Sequence, residues 1–366
     1  MSVLSIVLLV FACLGALDRV FGCKFGLGKE FEKAFMLLGI MSLTMTGMIV
    51  ISPLIANIML PVSSFVSSYL RLDPSIIPAS LFANDMGGAS LAALMAADEK
   101  IGLYNALVVS SMMGCTLSYT VPFALGVVKK ELHHELFLGM LCGIITIPVG
   151  CFVAGLICGV PIGALLFNLL PLVLFSIFIV FGLIKFTDVC VKLFKWFGFL
   201  ITAVIMLGLV FGIINFSAGR EVIKGIESIE EGTRICLNAS VVLSGALPLV
   251  YMLSKLLARP LKAIGGKIGI NEYAVVGLFS TLATSSTLFP IMDKMDKRGI
   301  VLTSAFSVSG AFTFGAHLAF TMAFDKSYIV PVIIGKLIAG VFAVLLAAII
   351  YKIKNGEETE KEEGVI

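Results

Sequence analysis

The sequence predicts an all-α polytopic membrane protein built from two inverted repeats. Each repeat has four transmembrane helices plus one re-entrant or broken-helix hairpin, and a linking helix joins them. Three observations predict this fold class. The chain of 366 residues is 59% hydrophobic and 13% charged, with a mean hydropathy of +1.09, and apolar runs long enough to cross a bilayer core of roughly 30 Å follow one another almost from end to end. Two of those runs are interrupted by residues that a membrane helix does not favour. The chain also matches itself at an offset of 196 to 198 residues.

The same composition sets limits on function. The longest polar stretch, Ser217 to Arg234, is too short to bury a core of its own, so no soluble domain is expected. The net charge of +3 points to no nucleic acid, and the lipid bilayer is the expected surrounding. Eight cysteines are scattered singly, without C-x-x-C spacing or a histidine at metal-ligand spacing. They read as small core residues, and no metal or cofactor is implied. The chain carries no H-E-x-x-H, G-x-S-x-G or P-loop pattern, so it is not expected to be an enzyme.

Taken in order, residues 1–17 form the first span rather than a signal peptide, because they have neither a basic n-region nor a small-x-small cleavage site. Uninterrupted spans follow at 34–58, 101–127, 135–158, 161–184, 193–215, 236–257, 300–323 and 328–351, and the interrupted segments lie at 76–97 and 274–292. Full crossing by both interrupted segments gives 11 spans, with the Lys and Arg residues divided 14 inside to 11 outside. Hairpins instead give nine spans and 19 inside to 6 outside, the six being Arg71, Lys100, Arg220, Lys224, Arg234 and Lys326. The positive-inside rule selects the hairpins, with the N-terminus outside and the C-terminus cytoplasmic. Half of 76–97 reaches roughly 16 Å as helix, about the middle of the core.

Matches at the repeat offset pair Thr46-Gly47 with Ser244-Gly245, Leu81-Phe82 with Leu278-Phe279, Lys100 with Lys297, and Thr116 with Thr313. The first repeat is thus 1–160 and the second 185–351, with 161–184 as the linking helix that inverts the second. An acidic tail at 352–366 lacks periodicity and is expected to be unstructured and cytoplasmic. Inverted repeats with discontinuous helices at their centres are a secondary-transporter pattern.

Only three titratable side chains lie well inside the apolar segments: Asp85, His317 and Lys336. Counting residues from the ends of their segments puts them at a shared depth, which motivates one polar site. At the first break, Asn84-Asp85-Met86-Gly87-Gly88, the Asp85 carboxylate is read as holding a cationic group, or alternatively as capping the second half-helix. Asn84 would add a hydrogen bond, and Gly87 and Gly88 would let backbone approach the ligand. At the second break, Thr284, Ser285, Ser286 and Thr287 offer hydroxyls to a solute, or else bond back to their own backbone. Thr116, Thr313 and Asn105 are further binding candidates. Lys336 is either a structural partner of a buried carboxylate such as Asp85 or a competitor for it. His317 is either a satisfied interior histidine or a proton-sensitive gate.

The chain resembles the ethanolamine transporter (ethanolamine facilitator) family encoded in bacterial ethanolamine-utilization operons. The likeness rests on Ala83-Asn84-Asp85-Met86-Gly87-Gly88, Ser111-Met112-Met113-Gly114, Ile144-Ile145-Thr146-Ile147-Pro148-Val149-Gly150-Cys151, Met295-Asp296-Lys297-Arg298-Gly299, His317-Leu318 and Gly335-Lys336-Leu337-Ile338. It departs from the family at Thr284-Ser285, where an Asn-Asn pair is common, and at Ala316, where an acidic residue often precedes the histidine. The resemblance implies uptake of ethanolamine across the bacterial cytoplasmic (inner) membrane to feed a cytoplasmic ammonia-lyase. The expected partner is a small cation, and a homo-oligomer is compatible with the pattern. A carrier of another small polar amine driven by sodium or protons, a channel and a sensor stand as alternatives.

Overall fold

Within a hydrocarbon layer every backbone N–H and C=O must be satisfied inside the protein, and long Leu-, Ile-, Val- and Phe-rich runs meet that demand as helices. The computed structural model describes the backbone of residues 3–363, and side chains except at 3, 4, 254, 257–267 and beyond 354. Among the described residues all regular structure is helical. The order is α1 (Val3–Val20), α2 (Leu27–Ile58), α3 (Leu60–Tyr69), α4 (Ile76–Leu81), α5 (Gly88–Met95), α6 (Glu99–Val127) and α7 (His133–Ile157). Then come α8 (Ile162–Lys185), α9 (Thr187–Ala218), α10 (Ile229–Ile268), α11 (Glu272–Ala283), α12 (Lys297–Gly310), α13 (Ala316–Phe324) and α14 (Ile329–Glu363). Among the described residues, seven helices are long and apolar enough to cross a membrane.

The helices sort into two packed groups. One joins α1 and α2 to α9 and α10, and the other joins α7 to α8, α12 and α14. Small residues allow the close approaches. A Cβ on Gly47 of α2 would run into the Ile205 carbonyl of α9, and one on Gly208 of α9 into the Gly47 carbonyl. Hydroxyls add to this: Thr116 Oγ1 of α6 donates to Val308 O of α12 at 3.1 Å and Thr146 Oγ1 of α7 to Ala339 O of α14 at 3.1 Å.

Both interrupted segments turn back on themselves. Asp73, ahead of α4, accepts from Ala97 N at 3.1 Å and Asp98 N at 2.9 Å, beyond α5, so the two ends of 76–97 meet. Asn271, ahead of α11, donates its N–H to Asp296 Oδ1 at 2.8 Å and its amide to Lys294 O at 2.8 Å, which closes the second segment likewise. Asp98 and Asp296 each cap the helix that follows, accepting from Ile101 N at 2.8 Å and Gly299 N at 3.1 Å. The second hairpin's returning limb is a 3-10 stretch, Phe289–Lys294, with Pro290 at its start. At its base Lys129 reaches Asp293 at 3.0 Å, and this hydrogen bond holds the Asp293 carboxyl below its ordinary value.

Three features differ from expectation. The span expected unbroken at 300–323 is split between α12 and α13, where Phe312 adopts φ +61°. The backbone groups freed there are recovered by the second hairpin: Phe312 N donates to Thr281 O at 3.0 Å and Phe314 N to Leu282 O at 2.8 Å. The short helix α3 was not anticipated; Pro61 in its first turn suits a helix start. Helix α14 continues through the acidic end to Glu363, where the sequence predicts an unstructured tail, because Glu and Lys are good helix formers; residues 364–366 lie outside the described residues.

Candidate functional site: a cavity at the two helix breaks

Helix α4 ends where Phe82 and Ala83 become extended, and Asn84–Met86 make one 3-10 turn before Gly87 at φ +92° starts α5. Gly88 N and Met86 N both bond the Ala83 carbonyl, at 2.8 and 3.0 Å. The turn therefore closes on its own backbone, and no side chain caps α5. This removes the capping role from Asp85. Its carboxylate is 19% exposed and faces a cavity of about 1040 Å³.

The cavity extends from both breaks to Glu30, Lys33 and Lys195. Around its inner end stand Asp85, Cys115, Ser118, Tyr119, Thr284, Ser286, Thr287, Phe312 and His317. His317, in the first turn of α13, brings Nε2 within 3.8 Å of Asp85 Oδ1, and its Nδ1 has no partner. Asp85 thus lies beside the first turn of α13, with His317 as its neighbour. Ala83 N donates to Ser118 Oγ at 3.0 Å, which fixes the first break against α6. Opposite it, α6 is wound as a π-helix over Asn105–Gly114 and Thr116–Thr120. Local π-winding recurs at functional sites because it re-aims side chains without ending the helix.

The remaining sequence candidates divide. Thr284, Ser286 and Thr287 line the cavity, though they bond locally: Thr284 Oγ1 pairs with Ser286 Oγ at 2.5 Å, and Thr287 Oγ1 donates to Thr284 O at 3.1 Å. Ser285 and Asn84 sit behind the wall, fully buried, with the Ser285 hydroxyl and both Asn84 amide atoms unpartnered. A buried unpaired polar group costs about 1 to 3 kcal/mol, so the polar shell at the breaks is incomplete as it stands. Gly87 and Gly88 do not expose backbone to the cavity. Positive φ requires glycine at 87, and a Cβ there would strike Met48, while one on Gly88 would strike the Phe82 and Ala83 carbonyls.

Thr116, Thr313 and Asn105 lie outside the cavity wall. Thr116 bonds Met112 O and Val308 O, and Thr313 bonds Gly310 O at 2.8 Å. Asn105 exchanges bonds of 3.1 and 2.7 Å with Asn168 and reaches Ser75 Oγ at 2.8 Å. Thr116 and Asn105 hold helices together, and Thr313 closes the turn between α12 and α13. Lys336 is buried outside the wall and donates to Ser111 O at 2.6 Å. It makes no ion pair with Asp85, whose nearest charged or chargeable partner is His317. Depth along a span fixes a side chain's height but not the side of the helix it leaves from.

Sequence reasoning missed the aromatic wall. Tyr119 stacks on Phe123 with ring centroids 5.3 Å apart, meets Phe312 edge-on at 5.5 Å, and Phe312 lies 5.0 Å from His317. The i,i+4 spacing of Tyr119 and Phe123 was a readable signal. Phe312 was hidden inside a span read as continuous, although Gly310 and Gly315 flank it.

Among characterised and uncharacterised proteins, the chain is 40% identical to a probable ethanolamine permease EutH of Listeria monocytogenes, covering 94% of this chain and 92% of that protein. It is 33% identical to a probable ethanolamine permease EutH of Escherichia coli, covering 99% and 98%. It is also 36% identical to the uncharacterized protein YxeR of Bacillus subtilis, covering 93% and 92%. No solved structure matches it. The family model described as ethanolamine utilisation protein EutH matches residues 1–350, and this multi-pass membrane chain belongs to that family.

Proposed function

We propose that the protein carries ethanolamine, or a closely similar small amino alcohol, across the bacterial cytoplasmic membrane by alternating access at the two helix breaks. Asp85 carries the reading. It is a carboxylate deep in an apolar segment, it has no capping duty, and it opens on a cavity. The family relatives named as probable ethanolamine permeases supply the substrate. The ammonium meets Asp85, and the hydroxyl meets the Thr284, Ser286 and Thr287 edge.

Inverted repeats account for the geometry. Asp73 and Asn271 close the two hairpins, Asp98 and Asp296 cap the helices that follow, and both pairs stand 198 residues apart. The π-wound part of α6 and the break between α12 and α13 are also counterparts at that offset. Residues 1–160 and 185–351 are then the repeats, with α8 linking them and nine spans plus two hairpins in all. With the N-terminus outside, the end of the cavity at Glu30, Lys33 and Lys195 lies on the cytoplasmic side, which supports an inward-open reading.

Counterflow in proteoliposomes tests the function. Vesicles loaded with unlabelled ethanolamine should accumulate labelled ethanolamine transiently and saturably, as a carrier does. Linear, non-saturable equilibration would make the protein a channel, and absence of any ethanolamine flux would remove the substrate assignment.

A further inference from the structure

The geometry points to Phe312 as the residue that sets which ammonium groups the site accepts, and to N-methylated amino alcohols as a second substrate class beside the primary amine. This rests on the reading of Asp85 as the ammonium site. Phe312 is one of three non-glycine residues with positive φ among those described, and it alone of the three lines the cavity; Cys23 and Arg71 do not. Glycine would take that backbone conformation without cost. A strained residue persists where its surroundings over-determine it, and such residues cluster at functional sites. Two hydrogen bonds from Phe312 N and Phe314 N hold this turn on the end of α11, and the half-buried ring stands between Tyr119 and His317.

The chemistry follows from what the inner end of the cavity lacks. A primary ammonium presents three N–H donors and wants three acceptors. Beyond Asp85 the side-chain acceptors there are neutral hydroxyls, each already sharing a hydrogen bond with a neighbour. Ser118 donates to Gly114 O and accepts from Ala83 N, while Thr284 and Ser286 pair with one another. Beside the carboxylate stands the imidazole of His317, on which the Phe312 ring packs at 5.0 Å with Tyr119 at 5.5 Å, so an aromatic cluster lines the wall next to Asp85. Aromatic faces attract a cation through the ring quadrupole and serve methylated ammonium well, because they require no N–H. A cavity of about 1040 Å³ has room for the added methyl groups.

Binding of labelled ethanolamine to the full-length protein in nanodiscs, competed with its N-methyl, N,N-dimethyl and N,N,N-trimethyl derivatives, tests this. In the wild type the trimethyl compound should compete within about tenfold of ethanolamine. Phe312→Leu should worsen that ratio by about thirtyfold, the size of a desolvated cation–π contact, and Phe312→Tyr should retain it. Phe312→Gly should lose the methylated competitors while still folding and binding ethanolamine, since glycine relieves the strain that partly offsets the lost ring packing. Exclusion of the trimethyl compound by the wild type, or equal weakening of all four ligands in both Phe312→Leu and Phe312→Gly, would overturn the inference while leaving ethanolamine transport intact. A wild type that binds no ethanolamine would overturn the function itself.

Discussion

Asp85→Asn is expected to abolish saturable ethanolamine uptake and to leave the protein folded in the membrane. Asparagine is nearly isosteric with aspartate and keeps a carbonyl acceptor, so the turn closed by Gly88 N and Met86 N on Ala83 O has no reason to move. What it removes is the charge opposite the ammonium. Truncating one partner of a desolvated, hydrogen-bonded charge pair costs about 2 to 5 kcal/mol. At about 1.4 kcal/mol per tenfold, that is a loss of roughly 30- to 3000-fold in affinity. Binding to purified protein, read beside the thermal unfolding midpoint, separates the two effects. Wild-type affinity in a folded variant would show that the cation is held elsewhere.

Gly114→Leu is expected to unseat the first hairpin. Gly114 lies on the π-wound part of α6, and a Cβ there would overlap the Phe82 carbonyl oxygen and come within 2.7 Å of Ala79 O. The atoms in the way are backbone, so no rotamer change relieves the clash. Overpacking of a tight interior costs about 1 to 3 kcal/mol when side chains can give, and more is expected where they cannot. Because Ala83 N hangs on Ser118 Oγ one turn away, the shift would also displace Asp85. The expected outcome is a lowered unfolding midpoint together with lost transport. Gly39→Leu, at a position with nothing within 4 Å, is the control and should preserve both. A Gly114→Leu protein with normal stability and transport would mean that the hairpin does not rest on α6.

The sequence makes both breaks legible because they violate helix rules where the chain otherwise obeys them. An aspartate with two glycines, and four hydroxyls in a row, stand out against Leu, Ile and Ala. The third break does not stand out. Gly310 to Gly315 contains Phe312 and Phe314, apolar enough to pass as helix, and its backbone bonds to carbonyls of a hairpin some 30 residues earlier in the chain. Thr116, Thr313 and Asn105 are residue types that in an apolar protein also bond backbone or one another, within a turn or between helices. Lys336 illustrates a different limit: its height was readable, but its partner, the Ser111 carbonyl of α6, depends on packing.

The central claim is that one site at the helix breaks holds the substrate and opens to one side at a time. Ser286 lines that site. Cys115 does too, so the measurement uses Ser286→Cys in a Cys115→Ser background. Membrane-impermeant thiol labelling is followed at position 286 by mass spectrometry in inside-out and right-side-out vesicles. Labelling from the cytoplasmic side, slowed by ethanolamine, is the predicted result. Equal labelling from both sides, or labelling that ethanolamine does not change, would contradict it.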